Sequence, residues 1–79
     1  MEVLLFGIAR EIVGSETILV PREAAIANVS DLRAWLCDQY PQFKGLSSLA
    51  VAVDNEYATD EQALPQNAEI ALIPPVSGG

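Results

Sequence analysis

Glu69-Ile70-Ala71-Leu72-Ile73-Pro74-Pro75-Val76-Ser77-Gly78-Gly79 closes the sequence and reads as a strand delivered straight into a tip without side chains. Ala68 to Ile73 has the β-branched and aliphatic make-up of a strand, the last of the fold. Pro74 and Pro75 hold φ near −65° and carry no N–H, so they end the hydrogen-bonding ladder and project the chain as a stiff rod. Gly78 and Gly79 have no Cβ, which lets such a backbone thread a channel too narrow for any other residue and present a carboxylate inside another protein. Six extended residues span about 20 Å. Two small residues at a terminus are also what a frayed end looks like, but that leaves the Pro-Pro rod without a purpose. The organisation is therefore a domain over residues 1–73 and an extended tail over residues 74–79.

Working outward, the other end of the chain supplies the partner of that strand. Glu2 to Ile8 is a continuous apolar run, predicted to be a central strand covered on both faces. Ala9 to Val13 lacks alternation and is closed by Gly14-Ser15, giving a short helical turn or loop. Glu16 to Val20 is β-branched and stops at Pro21, which predicts a hairpin with the first strand. Arg22 to Ala27 reads as a loop. Asn28 as N-cap and Asp31 three residues later open a helix that ends at Gln39, before Tyr40-Pro41. Val29, Leu32, Trp35 and Leu36 share one stripe of it, so Trp35 is expected to plug the core. Phe43 to Ser48 is a connection, Leu49 to Val53 a strand of small residues for the middle of a sheet, Asp54-Asn55 a tight turn and Glu56 to Ala58 the return strand. Thr59 to Ala63 reads as a solvated acidic loop and Leu64 to Asn67 as a turn. The final strand can lie parallel to the first only through the crossover that contains the helix. These elements predict an α+β domain, a mixed sheet with one main helix packed on one face, holding the tail at its edge.

The totals narrow the chemistry. A chain of 79 residues with 51% hydrophobic content is one small globular domain with little room for an internal active site. Eleven acidic against four basic residues give a net charge of −7, which repels phosphate backbones and suits a basic protein surface. Nucleic acid is therefore not an expected partner. No apolar run approaches the length that spans a bilayer, and the N-terminus lacks a basic start and small-residue cleavage site, so a cytoplasmic protein with no membrane partner is expected. There is no histidine, the commonest general base and metal ligand. The single cysteine, Cys37, has no basic neighbour to lower its pKa and reads as structural, and no metal site is expected.

The pairing of Leu5-Phe6-Gly7-Ile8-Ala9-Arg10-Glu11-Ile12-Val13-Gly14 with the Glu69 to Gly79 segment resembles the molybdopterin synthase small-subunit family over the whole chain. That family consists of sulfur carriers with the ubiquitin-like β-grasp fold. Three departures are mild: Gly7 stands where alanine is frequent, Leu72-Ile73 where aromatics are frequent, and Asn67 where a turn glycine is expected.

The resemblance implies that Gly79 is the catalytic position. Its carboxylate would be adenylated by an E1-like activating enzyme that consumes ATP, converted to a thiocarboxylate with sulfur from a donor, and used on a cyclic pterin precursor inside the large catalytic subunit. It implies a heterotetramer of two small and two large subunits, and no stably bound cofactor. Pro74, Pro75, Val76, Ser77 and Gly78 would insert into the partner. Phe6, Tyr57 and Ile73 are expected to form an interface with it beside the base of the tail, although a strand Phe is also common as simple core. Two alternatives stand beside this one: a carrier for the thiamine thiazole, and a ubiquitin-like interaction module or modifier that never carries sulfur.

Overall fold

The computed structural model describes residues 1–45, 49–65 and 67–73. Its five strands are β1 (Glu2–Leu5), β2 (Thr17–Leu19), β3 (Ala50–Val53), β4 (Glu56–Tyr57) and β5 (Ile70–Ile73). Helix α1 is Gly7–Val13 and helix α2 is Val29–Gln39, with short 3-10 turns at Arg22–Ala24 and Pro41–Gly45. The sheet order is β2-β1-β5-β3-β4. β1 and β5 are parallel and the other three pairings antiparallel, the β-grasp arrangement expected for the chain. The strand at the centre is β5, with β1 beside it. Ile73, the last described residue before residues 74–79, therefore ends a central strand and not an edge strand; the tail itself lies outside the described residues.

One layer of core lies between the sheet and α2. Val3, Leu5, Ile18, Val51, Val53, Ile70 and Leu72 point inward from four strands and meet Val29, Leu32 and Leu36 of the helix. This corrects the reading of Glu2 to Ile8 as a strand covered on both faces. Val3 and Leu5 are buried, Leu4 only half so, and Phe6 is exposed, the alternation of a strand with one open face. The strand is also shorter. It stops at Leu5, Phe6 is the extended residue before α1, and Gly7 at φ 55° turns the backbone into the helix. Gly14, at φ 81°, closes α1 by donating its N–H to the Arg10 carbonyl at 2.8 Å, an αL cap.

The first turn of α2 is fully satisfied, which a helix end seldom achieves from its own residues. Asn28 Oδ1 accepts from the Asp31 N–H at 2.9 Å, and the Asn28 carbonyl accepts from Leu32. The N–H groups of Val29 and Ser30 donate to the carbonyls of Gln62 and Asp60. Asp31 Oδ2 in turn accepts from the Ala27 N–H at 3.1 Å. The exposed 59–63 loop is thus solvated as expected, yet it caps the helix, and Arg33 Nε donating to Asp60 Oδ1 at 3.0 Å tethers it.

Trp35 is half-buried and packs against the rim of the core; it is not a central plug. Two residues read as connection or turn carry core volume instead: Phe43, edge-to-face with Tyr40 at 6.0 Å between ring centroids, and Leu64. Asp54 and Asn55 both have positive φ, the conformation a two-residue hairpin with right-handed twist requires. Among the described residues no helix is long and apolar enough to cross a membrane.

Candidate functional site

The sheet has one face covered by α2 and one left open, and the sheet register lays a continuous row across the open face. Thr17 pairs with Leu4, Leu4 with Ala71, Ala71 with Ala52 and Ala52 with Tyr57, one residue from each of the five strands. Residues paired in this way stand on the same side of the pleat. Alanine occupies the middle position and the one beside it, Ala71 and Ala52, so the sheet surface dips there. The dip holds about 250 Å³, and Leu4, Phe6, Tyr57, Ala71 and Ile73 are among its walls.

Phe6, Tyr57 and Ile73 are therefore brought to one concavity from three different strand ends. Tyr57 is 74% exposed and Phe6 49% exposed, so both present rings to solvent while their backbones are held by the sheet and the entry to α1. Large apolar groups with this much free surface around a hollow mark a contact site. Ile73 is the last described residue of β5, and Pro74, Pro75, Val76, Ser77, Gly78 and Gly79 follow it outside the described residues. The hollow lies at the root of the segment that carries the Gly-Gly end.

Some of the surroundings were not visible in the sequence. Leu4, Ala52, Asn55 and Ala71 line the hollow, and Ile8 and Leu19 are further exposed aliphatic residues. The sequence signal for the face was present as Leu4 and Phe6 in an apolar run, but a run with apolar residues on both sides cannot tell a buried face from a sticky one. Cys37 is a free thiol, half-buried on α2, the element that covers the opposite face of the sheet. Among the described residues no group of three His, Cys, Asp or Glu side chains converges to hold a metal ion. Among the described residues that line the hollow there is no acid–base pair: the walls are aliphatic and aromatic apart from Asn55 and Glu69.

Residues 3–79 match the ThiS family. A molybdopterin synthase sulfur carrier subunit of Caenorhabditis briggsae is 38% identical over 84 residues, covering all of this chain and 96% of the relative. Among solved structures, SAMP1 from Haloferax volcanii superposes with a TM-score of 0.79 at 30% identity, covering 99% of this chain and 97% of that one. A complex of subunits 1 and 2 of the molybdopterin-converting factor from Helicobacter pylori contains a chain that matches at 25% identity and a TM-score of 0.67, with 99% and 96% covered. The parallel pairing of β1 with β5, the helix between them and the full-length likeness agree: this chain belongs to the ThiS family, with the molybdopterin synthase sulfur carrier subunits.

Proposed function

We propose that the chain is the sulfur carrier subunit of molybdopterin synthase and that Gly79 is its only reacting position. The Gly79 carboxylate attacks the α-phosphate of ATP on an E1-like adenylating enzyme, releasing pyrophosphate and forming an acyl-adenylate. Sulfide from a donor displaces AMP, and the carbonyl carbon then bears sulfur in place of oxygen. A carboxylate is a poor acyl group until its oxygen becomes a leaving group, which is why the ATP step comes first. The thiocarboxylate is a soft nucleophile on a tether, and the tether raises its effective concentration at the cyclic pterin precursor in the large subunit.

In this division of labour the present chain supplies position and the partners supply acids and bases. It needs no histidine and has none. Pro74 to Gly78 enter the partner's channel, and Phe6, Tyr57 and Ile73 dock beside its mouth. The carrier works in the cytoplasm as part of a heterotetramer of two small and two large subunits, contributing a reacting terminus to a sulfurtransferase without a catalytic acid or base of its own. The observation that carries the reading is the apolar hollow bordered by Phe6, Tyr57 and Ile73 at the root of the Gly-Gly segment, in a chain of this family.

A second reading, a protein modifier, is favoured by the likeness to SAMP1, a small archaeal modifier protein. Intact mass of the chain from its native host separates the two. A carrier includes a population heavier by about 16 Da, sulfur for oxygen at the terminus. A modifier appears joined through its terminus to lysines of other proteins, with no such population, and that outcome would overturn the carrier reading.

A further inference from the structure

The hollow on the open face is a trough, and its shape follows from which strand carries which side chain. Ala71 of β5 and Ala52 of β3 form the floor. Leu4 and Phe6 stand on the β1 side and Tyr57 on the β4 side, and β1 and β4 flank β5 and β3 in the sheet. The trough runs parallel to β5, since Glu69 just before that strand and Ile73 at its end both line it. Four steps of strand make it about 13 Å long. Its volume of about 250 Å³ falls below the roughly 300–1,000 Å³ of sites that enclose a small molecule. Aromatic walls over an apolar floor are instead what a short proline-containing segment lies against.

A segment of that chemistry belongs to the chain itself. Pro74-Pro75-Val76-Ser77-Gly78-Gly79 follows Ile73 outside the described residues. Its first three residues are apolar, and its terminal glycines have no side chain to keep the backbone off an alanine floor. Its own trough is the wrong one to receive it. β5 is directed out of the trough at Ile73, and a proline at 74 and another at 75 favour extended backbone in the residue before each. Such a sequence runs onward along β5 and has too few residues left to double back. The trough of a second copy, set tail root to tail root, is open from that side. Six extended residues span about 20 Å, enough to cross a gap of about 7 Å and occupy a trough of about 13 Å.

We propose that two copies of the chain associate tail root to tail root, each laying the segment that begins at Pro74 in the other's trough between Phe6 and Tyr57. The arrangement is isologous, so every contact is made twice and the pair closes on itself. Charge opposes it: each copy carries −7, and surfaces of one sign repel. The pair is therefore weak, and screening by salt strengthens it. The association does not depend on the sulfur chemistry. On the carrier reading its consequence is that free chains withhold both Gly79 and the docking face until a partner competes for the same trough.

The test is sedimentation equilibrium of the full chain from about 10 μM to about 1 mM, at about 50 mM and about 500 mM salt, where screening lengths differ about threefold. A reductant is present because Cys37 is a free thiol. Tyr57→Ala removes one wall of the trough, with circular dichroism to verify folding. Pro75→Gly/Val76→Gly strips the tail of apolar side chains without adding charge, and its substitutions lie outside the domain of residues 1–73, so it decides the matter alone if Tyr57→Ala does not fold. The expected result is a dimer that tightens at high salt and whose dissociation constant rises about tenfold or more in either variant. A native chain that stays monomeric throughout, a dimer that salt loosens, or one that Tyr57→Ala leaves unchanged overturns the proposal. A dimer weakened by Tyr57→Ala and not by the tail variant means that the open faces pack directly on each other, which overturns it as well. The thiocarboxylate mass tests the carrier chemistry independently of all these outcomes.

Discussion

Tyr57→Ala separates docking from folding more cleanly than any other change in the hollow. A tyrosine side chain offers about 200 Å², and with 74% of the residue exposed about 150 Å² remains for a partner to cover. At about 25 cal/mol per Å², complete burial of that surface is worth about 3.7 kcal/mol. Coverage of half of it is worth about 1.9 kcal/mol, or about twentyfold in Kd. The quarter already covered in the free domain contributes about 1 kcal/mol to stability by the same measure, a fall of several degrees in Tm for a domain of this size. Isothermal titration against the large subunit at a temperature well below Tm should therefore show affinity reduced between twentyfold and several hundredfold in a protein that remains folded. Tyr57→Phe keeps the ring area and should bind almost as the native chain does. Tyr57→Ala with affinity within a factor of two of native would refute the assignment of this ring as an anchor, and with it the use of exposed area to estimate the contact.

Three further outcomes are expected. Gly78→Val, or one residue added after Gly79, should abolish precursor conversion with the domain intact, because an added residue moves the reacting carboxylate by about 3.5 Å where about 1 Å already costs on the order of a hundredfold; turnover of the untrimmed extended chain at the native rate would exclude the terminus as the reacting group. Cys37→Ser should leave adenylation and sulfur transfer unchanged, since the thiol lies on the helix that covers the other face; a large loss in a folded variant would place it in the chemistry. Asn28→Ala removes the acceptor of the Asp31 N–H and should cost about 1 kcal/mol in urea unfolding, whereas a change of a few tenths would mean that the 59–63 loop alone can hold the helix start.

Much of the architecture is written in local patterns. Asn28 and Asp31 mark the start of α2, Pro41 its stop, and Asp54-Asn55 the hairpin, because each acts through backbone geometry within a few residues. The parallel pairing of β1 and β5 was legible too, since a crossover is the one way to bring both ends of such a chain together. Misreadings arose where a long-range partner decides the outcome. Gly7 turns an apolar run into a helix, and no window over Glu2 to Ile8 reveals that Leu4 and Phe6 stand on the open face of the sheet and not in the core. Phe43 and Leu64 lie in segments with loop composition and are buried only because α2 and the sheet leave space for them. Phe6 and Tyr57 were expected at an interface from the resemblance and from their ring chemistry, and the structure places both, exposed, on one hollow. The small residues that create the hollow, Ala52 and Ala71, carry no signal except their register.

The position of β5 in the sheet bears on how the protein is made. Emerging from the ribosome, β1 and β2 can pair first, and β3 with β4 can form its hairpin, yet the two halves of the sheet cannot meet until residues 70–73 arrive to lie between them. The core side chains Ile70 and Leu72 arrive with the same strand. Closure of the sheet thus awaits the segment leading to the Gly-Gly end, and a nascent chain cut short before it lacks both the joined sheet and the β5 residues that line the hollow. On the proposed function, a truncated product cannot occupy a partner as an inert decoy: the strand that leads to Gly79 is the same one that completes the open face bearing Phe6 and Tyr57.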